Sequence, residues 1–142
     1  MKTNIFDEHI VGFQESFTSQ QKKAMIMGLW SIANSDGEIH QKEENFMREI
    51  SLLLGFDYNS LWDGLFHFEY KEGELGTALN SLSKSNKEWY IITVFSMIHV
   101  DGRALDIEFV YAESILNVMN ITVDEALKIL QKSQGMINHF NL

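Results

Sequence analysis

The chain has 142 residues, 45% of them hydrophobic and 12% aromatic, with no cysteine, no proline and a net charge of −9. This length and apolar content fit one packed domain, residues 1–142, and exclude global disorder. The missing cysteine excludes disulfides, thiolate metal sites and a cysteine nucleophile, and 11 basic residues in no dense cluster argue against nucleic acid as a partner.

No apolar run approaches the roughly 18 residues of a membrane span, so the protein is not expected to be transmembrane. The first eight residues, Met1 to Glu8, carry acids where a signal peptide needs its apolar stretch. A soluble, cytoplasmic protein is expected.

The apolar spacing is helical almost throughout. Residues 7–17 predict a first helix with Ile10, Phe13 and Phe17 on one face. Thr18 or Ser19 caps a second helix to about Ala33, with Ala24, Met27, Trp30 and Ala33 facing inward. The next runs from about Gln41 to Leu54, its stripe made of Phe46, Ile50, Leu53 and Leu54, with Gly55 placed as a C-terminal cap. Short helices follow at 59–66 and 74–82, joined by a connector over 68–73. Ser83 to Asn86 form a polar break before a helix over 87–99, and another helix spans 106–119. Thr122 and Glu125 form a capping box for a last helix to about Ser133, and the tail from Gly135 is expected to fray.

The chain also says one thing twice. Asp36-Gly37 is followed by Glu43, and Asp101-Gly102, 65 positions later, is followed by Glu108. The same offset sets Lys22 on Lys87, Ser31 on Ser96, Ile50 on Ile115 and Leu65 on Leu130. An all-α single-domain bundle of about seven helices is expected, built from two pseudo-symmetric helical-hairpin repeats over about 19–66 and 84–131 that share one core.

Three readings of the acidic turns follow. An EF-hand places Asp36 at loop position 5 and Glu43 at 12, but Ile32 and Met97 then stand where the first carboxylate ligand belongs. A structural reading uses Gly for positive φ, Asp to bind nearby amides and Glu43 and Glu108 to meet the positive ends of their helices. A cation reading gathers Asp36, Glu43, Asp101 and Glu108 as hard oxygen donors for Ca²⁺ or Mg²⁺, with Glu38, Glu44 and Asp106 as further ligands. Arg103, in place of Glu38, sets a positive charge beside the second copy. The structural and cation readings both stay open.

Ala33-Asn34-Ser35-Asp36-Gly37-Glu38-Ile39 with Glu43-Glu44, and its echo at Asp101-Gly102 and Glu108, resembles the signature turn of the TerB-like family. That family includes the tellurite-resistance protein TerB and the N-terminal domain of DjlA-type co-chaperones. The resemblance covers about residues 19–131. It implies a helical bundle of two similar halves in a cytoplasmic or membrane-associated bacterial protein linked to tellurite or general stress response. It further implies a domain that acts through partners without a known catalytic reaction, with Asp36, Glu43, Asp101 and Glu108 as metal-binding positions. Arg103-Ala104 departs from the Glu-Ile of the first copy, and 56–86 carries no family signature.

Other chemistry is sparse. The histidines at 9, 40, 67, 99 and 139 include no pair at zinc-binding helical spacing, although His99 could join a cation site. There is no phosphate-binding glycine loop. Trp62, Phe66, Phe68 and Tyr70 read as core cover or, left exposed, a partner-binding patch. The expected function is a non-enzymatic binding module that acts through a protein partner, and self-association is compatible with it. A metal-dependent hydrolase using the same carboxylates, or an adaptor with no metal, is the alternative.

Overall fold

A computed structural model describes residues 13–55, 57–59, 74–100, 102 and 104–140, with backbone alone over 133–140. Among the described residues all regular structure is helical. Six helices have described bounds: α1 (Ser19–Ala33), α2 (Gln41–Leu54), α3 (Glu74–Asn80), α4 (Lys84–Ile98), α5 (Asp106–Val118) and α6 (Val123–Phe140). The expected first helix is seen as helical residues 13–15, and the one expected at 59–66 as residues 58–59; the rest of each lies outside the described residues. So do the connector over 68–73 and the aromatic cluster Trp62, Phe66, Phe68 and Tyr70.

Each hairpin begins on a hydroxyl cap. The Gln21 amide donates to Thr18 Oγ1 at 3.1 Å while the Thr18 amide donates to Gln21 Oε1 at 2.8 Å, a complete capping box. The Asn86 amide donates to Ser83 Oγ at 3.2 Å, so α4 starts three residues earlier than the sequence predicts. Gly55 closes α2 in the left-handed conformation expected of it. α5 ends differently, with Asn120 at φ 57° and the Ile121 amide on the Leu116 carbonyl at 3.0 Å. Thr122 Oγ1 accepts the Glu125 amide, but Glu125 returns to the Thr122 hydroxyl rather than to its amide, so only half of the expected box forms. α6 then runs on to Phe140, seven residues past its predicted end, so the backbone expected to fray from Gly135 is helical.

α1 lies at the centre, packed against α2, α3, α4 and α5. Neighbours on several sides explain why its buried set is wider than one stripe. Ala24 and Ala33 are buried as expected, Met27 and Trp30 only partly, and Met25, Ile26, Leu29 and Ile32 are fully enclosed. α2 packs chiefly against α1, and its inward face is Glu43, Met47, Ser51 and Leu54. That face is turned from the predicted one: Phe46 and Ile50 are half-buried and Leu53 is exposed. Ser51 is tolerated inside because its hydroxyl donates to the Met47 carbonyl at 2.8 Å.

α1 and α4 meet at a buried tie. The Tyr90 hydroxyl donates to the Met25 carbonyl at 2.7 Å, and burial holds that phenol far above its ordinary pKa, so it remains a donor. Gly28 makes the approach feasible, because a Cβ there would run into the Tyr90 hydroxyl. Phe13, Phe17 and Trp89 close one end of the core through edge-on contacts with centroids 4.9 and 5.0 Å apart. Asn86 Nδ2 donates to Ser16 Oγ at 3.2 Å and Gln14 Nε2 to the Leu53 carbonyl at 3.1 Å, fastening the residues before α1 to α4 and α2.

Candidate functional site at the acidic turns

The first turn is built by backbone bonds. Beyond α1 the Ser35 amide donates to Ile32 O at 3.1 Å and the Gly37 amide to Asn34 O at 2.9 Å. Gly37 has φ 86°, a conformation that glycine adopts without steric cost. Asp36 is exposed; its Oδ1 accepts the Glu38 amide at 3.0 Å and its Oδ2 lies 3.8 Å from His40 Nε2. His40 precedes α2 as its N-cap. Glu43, 1% exposed, turns back so that Oε1 accepts the His40 amide at 3.1 Å.

The second turn repeats this wiring. The Val100 amide donates to Met97 O at 3.1 Å and the Gly102 amide to His99 O at 3.1 Å, with Gly102 at φ 80°. Glu108, 4% exposed, accepts the Leu105 amide at 2.8 Å. Each of these residues stands 65 positions after its counterpart. Asp101 and Arg103 lie outside the described residues.

Glu43 and Glu108 therefore have a defined local task. Each satisfies an orphan amide and places negative charge at the positive end of a helix. This is the returning half of a capping box, and it does not need the other half, since Leu105 has no side-chain acceptor. The further acids are dispersed. Glu44 pairs with Arg48 at 3.0 Å, and Glu38 and Asp106 are exposed. His99 is exposed at the end of α4, its ring edge-on to Phe109 with centroids 6.1 Å apart. Among the described residues, no three of the Asp, Glu and His side chains gather to hold an ion.

Two described clefts lie elsewhere. One of about 520 Å³ is lined by Gly76, Thr77, Asn80, Ser81 and Val118. The other, about 430 Å³, lies between α4 and α6, where Lys87 Nζ donates to Asn80 Oδ1 at 2.9 Å and to the Met119 carbonyl at 3.2 Å. Neither includes a described residue of the acidic turns.

A family model described as "Tellurite resistance protein TerB" matches residues 3–61. Residues 3–61 are thus similar to TerB. The match takes in α1, the first acidic turn and α2, and it stops before the second hairpin. Comparison with curated proteins and with solved structures returns no match. The likeness of the second turn to the first thus rests on its own hydrogen bonds, dihedral angles and buried glutamate.

Sequence reasoning missed one feature. Ile107, Val110, Tyr111 and Val118 on α5 are exposed. Their spacing of i, i+3, i+4 and i+11 was visible, but α5 has a second apolar stripe and the sequence does not say which one faces inward.

Proposed function

We propose that this TerB-like protein is a non-enzymatic helical binding module, cytoplasmic, that works through protein partners in a bacterial response to tellurite or related stress. The family match over residues 3–61 carries this reading. Two observations support the non-enzymatic part. The buried carboxylates Glu43 and Glu108 are spent on helix amides, and the described clefts are lined by other residues. A hydrolase would need those acids at an open pocket with exchangeable coordination. Among the described residues no helix is long and apolar enough to cross a membrane. The test is tellurite tolerance of a strain with the gene deleted and then restored. Loss and recovery of tolerance support the reading, and unchanged tolerance removes the tellurite assignment.

A divalent cation at the acidic turns is the second part of the proposal. Asp36, Glu43, Asp101 and Glu108 are the hard oxygen donors that Ca²⁺ or Mg²⁺ prefers. Glu43 and Glu108 stand at matched places after two glycine turns, though the capping bonds account for both without an ion. Glu43→Gln and Glu108→Gln separate the two roles, because glutamine can still cap while the charge is lost. A saturable calorimetric response to Ca²⁺ or Mg²⁺ that these variants abolish, at unchanged melting temperature, supports the site. No response at millimolar metal removes it.

A further inference from the structure

The outer faces of α2 and α5 offer a comparison within one molecule. The two helices follow N-caps 65 positions apart and bury Glu43 and Glu108 in the same way. On α2 the outward positions Lys42, Asn45 and Glu49 are polar and exposed. On α5 the positions 65 residues on are Ile107, Val110 and Ser114, with Tyr111 and Val118 completing an exposed stripe. Over its first two turns the outer face of α2 is thus polar where that of α5 is apolar, although Leu52 and Leu53 are exposed farther along α2, and Ile107 and Val110 stand about half open to solvent. A contiguous exposed apolar stripe is a mark of an interaction surface.

The surroundings indicate what the stripe receives. By helical rotation Asp106, Glu113 and Asn117 lie along one flank. Asp106 and Glu113 are exposed, and neither forms a salt bridge among the described residues. At its far end Val118 lines the cleft with Gly76, Thr77, Asn80 and Ser81, so the ridge opens onto a concave surface of small and polar residues. An antiparallel second copy of α5 would set these acidic flanks side by side and repel. A basic flank on a foreign helix would instead pair with them.

We propose that the outer face of α5 is the docking surface of the module, and that its occupant is an amphipathic helix of another protein with an apolar stripe flanked by Lys or Arg. Ile107, Val110, Tyr111 and Val118 supply the apolar contact. Asp106 and Glu113 set its orientation and quicken the encounter. The inference rests on the binding-module reading above.

The test uses the full chain and a synthetic Leu/Lys amphipathic helix of about 18 residues as probe, read by fluorescence anisotropy. Controls are the same composition scrambled to erase the stripe and a Leu/Glu peptide that keeps it. The patterned basic peptide should bind saturably, and both controls at least about tenfold more weakly. Ile107→Lys with Val110→Asn, which copies the residues of α2, should reduce binding at least about tenfold while circular dichroism and melting stay unchanged. Asp106→Asn with Glu113→Gln should weaken it about threefold and flatten its salt dependence. Equal affinity of the α2-like variant, or of either control peptide, overturns the proposal. So does a dimer of the unliganded chain, seen by sedimentation, that the α2-like variant dissolves, because the occupant would then be a second copy. The two readings fail separately. Peptide binding indifferent to α5 removes this face and leaves the tolerance experiment untouched, whereas unchanged tolerance on deletion removes the tellurite reading and leaves the peptide result standing.

Discussion

The turn before α2 and the turn before α5 agree in their inner construction, and the helices that follow them differ in their outer faces. Inside, both have a glycine near φ 80–86° and a glutamate returned to the amide of the N-cap. Outside, α2 presents Lys42, Asn45 and Glu49 to solvent where α5 presents Ile107, Val110 and Ser114. The lesson is a division of labour. What the two hairpins share serves the fold, because caps and turns answer to backbone hydrogen bonding wherever they occur. The outer faces diverge at positions open to solvent, where packing constrains the residue least.

That division can be broken most forcefully at the tie between the hairpins. Gly28→Val places a side chain against the Tyr90 hydroxyl and should cost about 3 kcal/mol, read by chemical denaturation. Gly28→Ala should cost less in a Tyr90→Phe background than in the wild type, since the shorter side chain relieves the clash, and additive costs would show that the two do not meet. The shared caps come next. Glu43→Ala and Glu108→Ala should each cost about 1 kcal/mol, with Gln retaining most of the stability. Very unequal losses would mean that the two turns are not equivalent. Gly37→Ala and Gly102→Ala meet no neighbour, so only the left-handed backbone is penalised, by about 1 kcal/mol each in thermal unfolding. The smallest effect belongs to the outer faces. Ile107→Lys with Val110→Asn on α5, and Lys42→Ile with Asn45→Val on α2, should each change stability by under about 0.5 kcal/mol per site. A larger loss on α5 would mean that its stripe belongs to the core.

Much of the fold was legible because its signals are local. Thr18, Ser83 and Gly55 mark helix ends through bonds to neighbours within a few residues. The doubled Asp-Gly with its later Glu marked the turns, and the backbone of the described portions follows that reading. Errors arose where the answer depended on a distant element. The sequence places the stripe of α2 on Phe46, Ile50, Leu53 and Leu54; Leu54 is buried as expected, but the rest of the buried face is Met47 and Ser51, with Glu43 turned inward to reach its own cap. Ser133 was a reasonable end for α6 from polarity alone, whereas its backbone stays helical to Phe140. The candidate site followed the same pattern. The positions of Glu43 and Glu108 and their reach to amides at the helix start were legible in the structural reading, whereas their near-complete burial was not.

The sequence by itself determined the helical class, the caps, the glycine turns and the 65-residue echo, because each depends on residues a few positions apart. Tertiary structure alone decided that α1 is enclosed on several sides and that Tyr90 crosses to Met25. It also decided which of the two apolar stripes of α5 faces outward. A helix with apolar residues on two sides is ambiguous until its neighbours are in place, since burial is a property of the packed assembly and not of the helix.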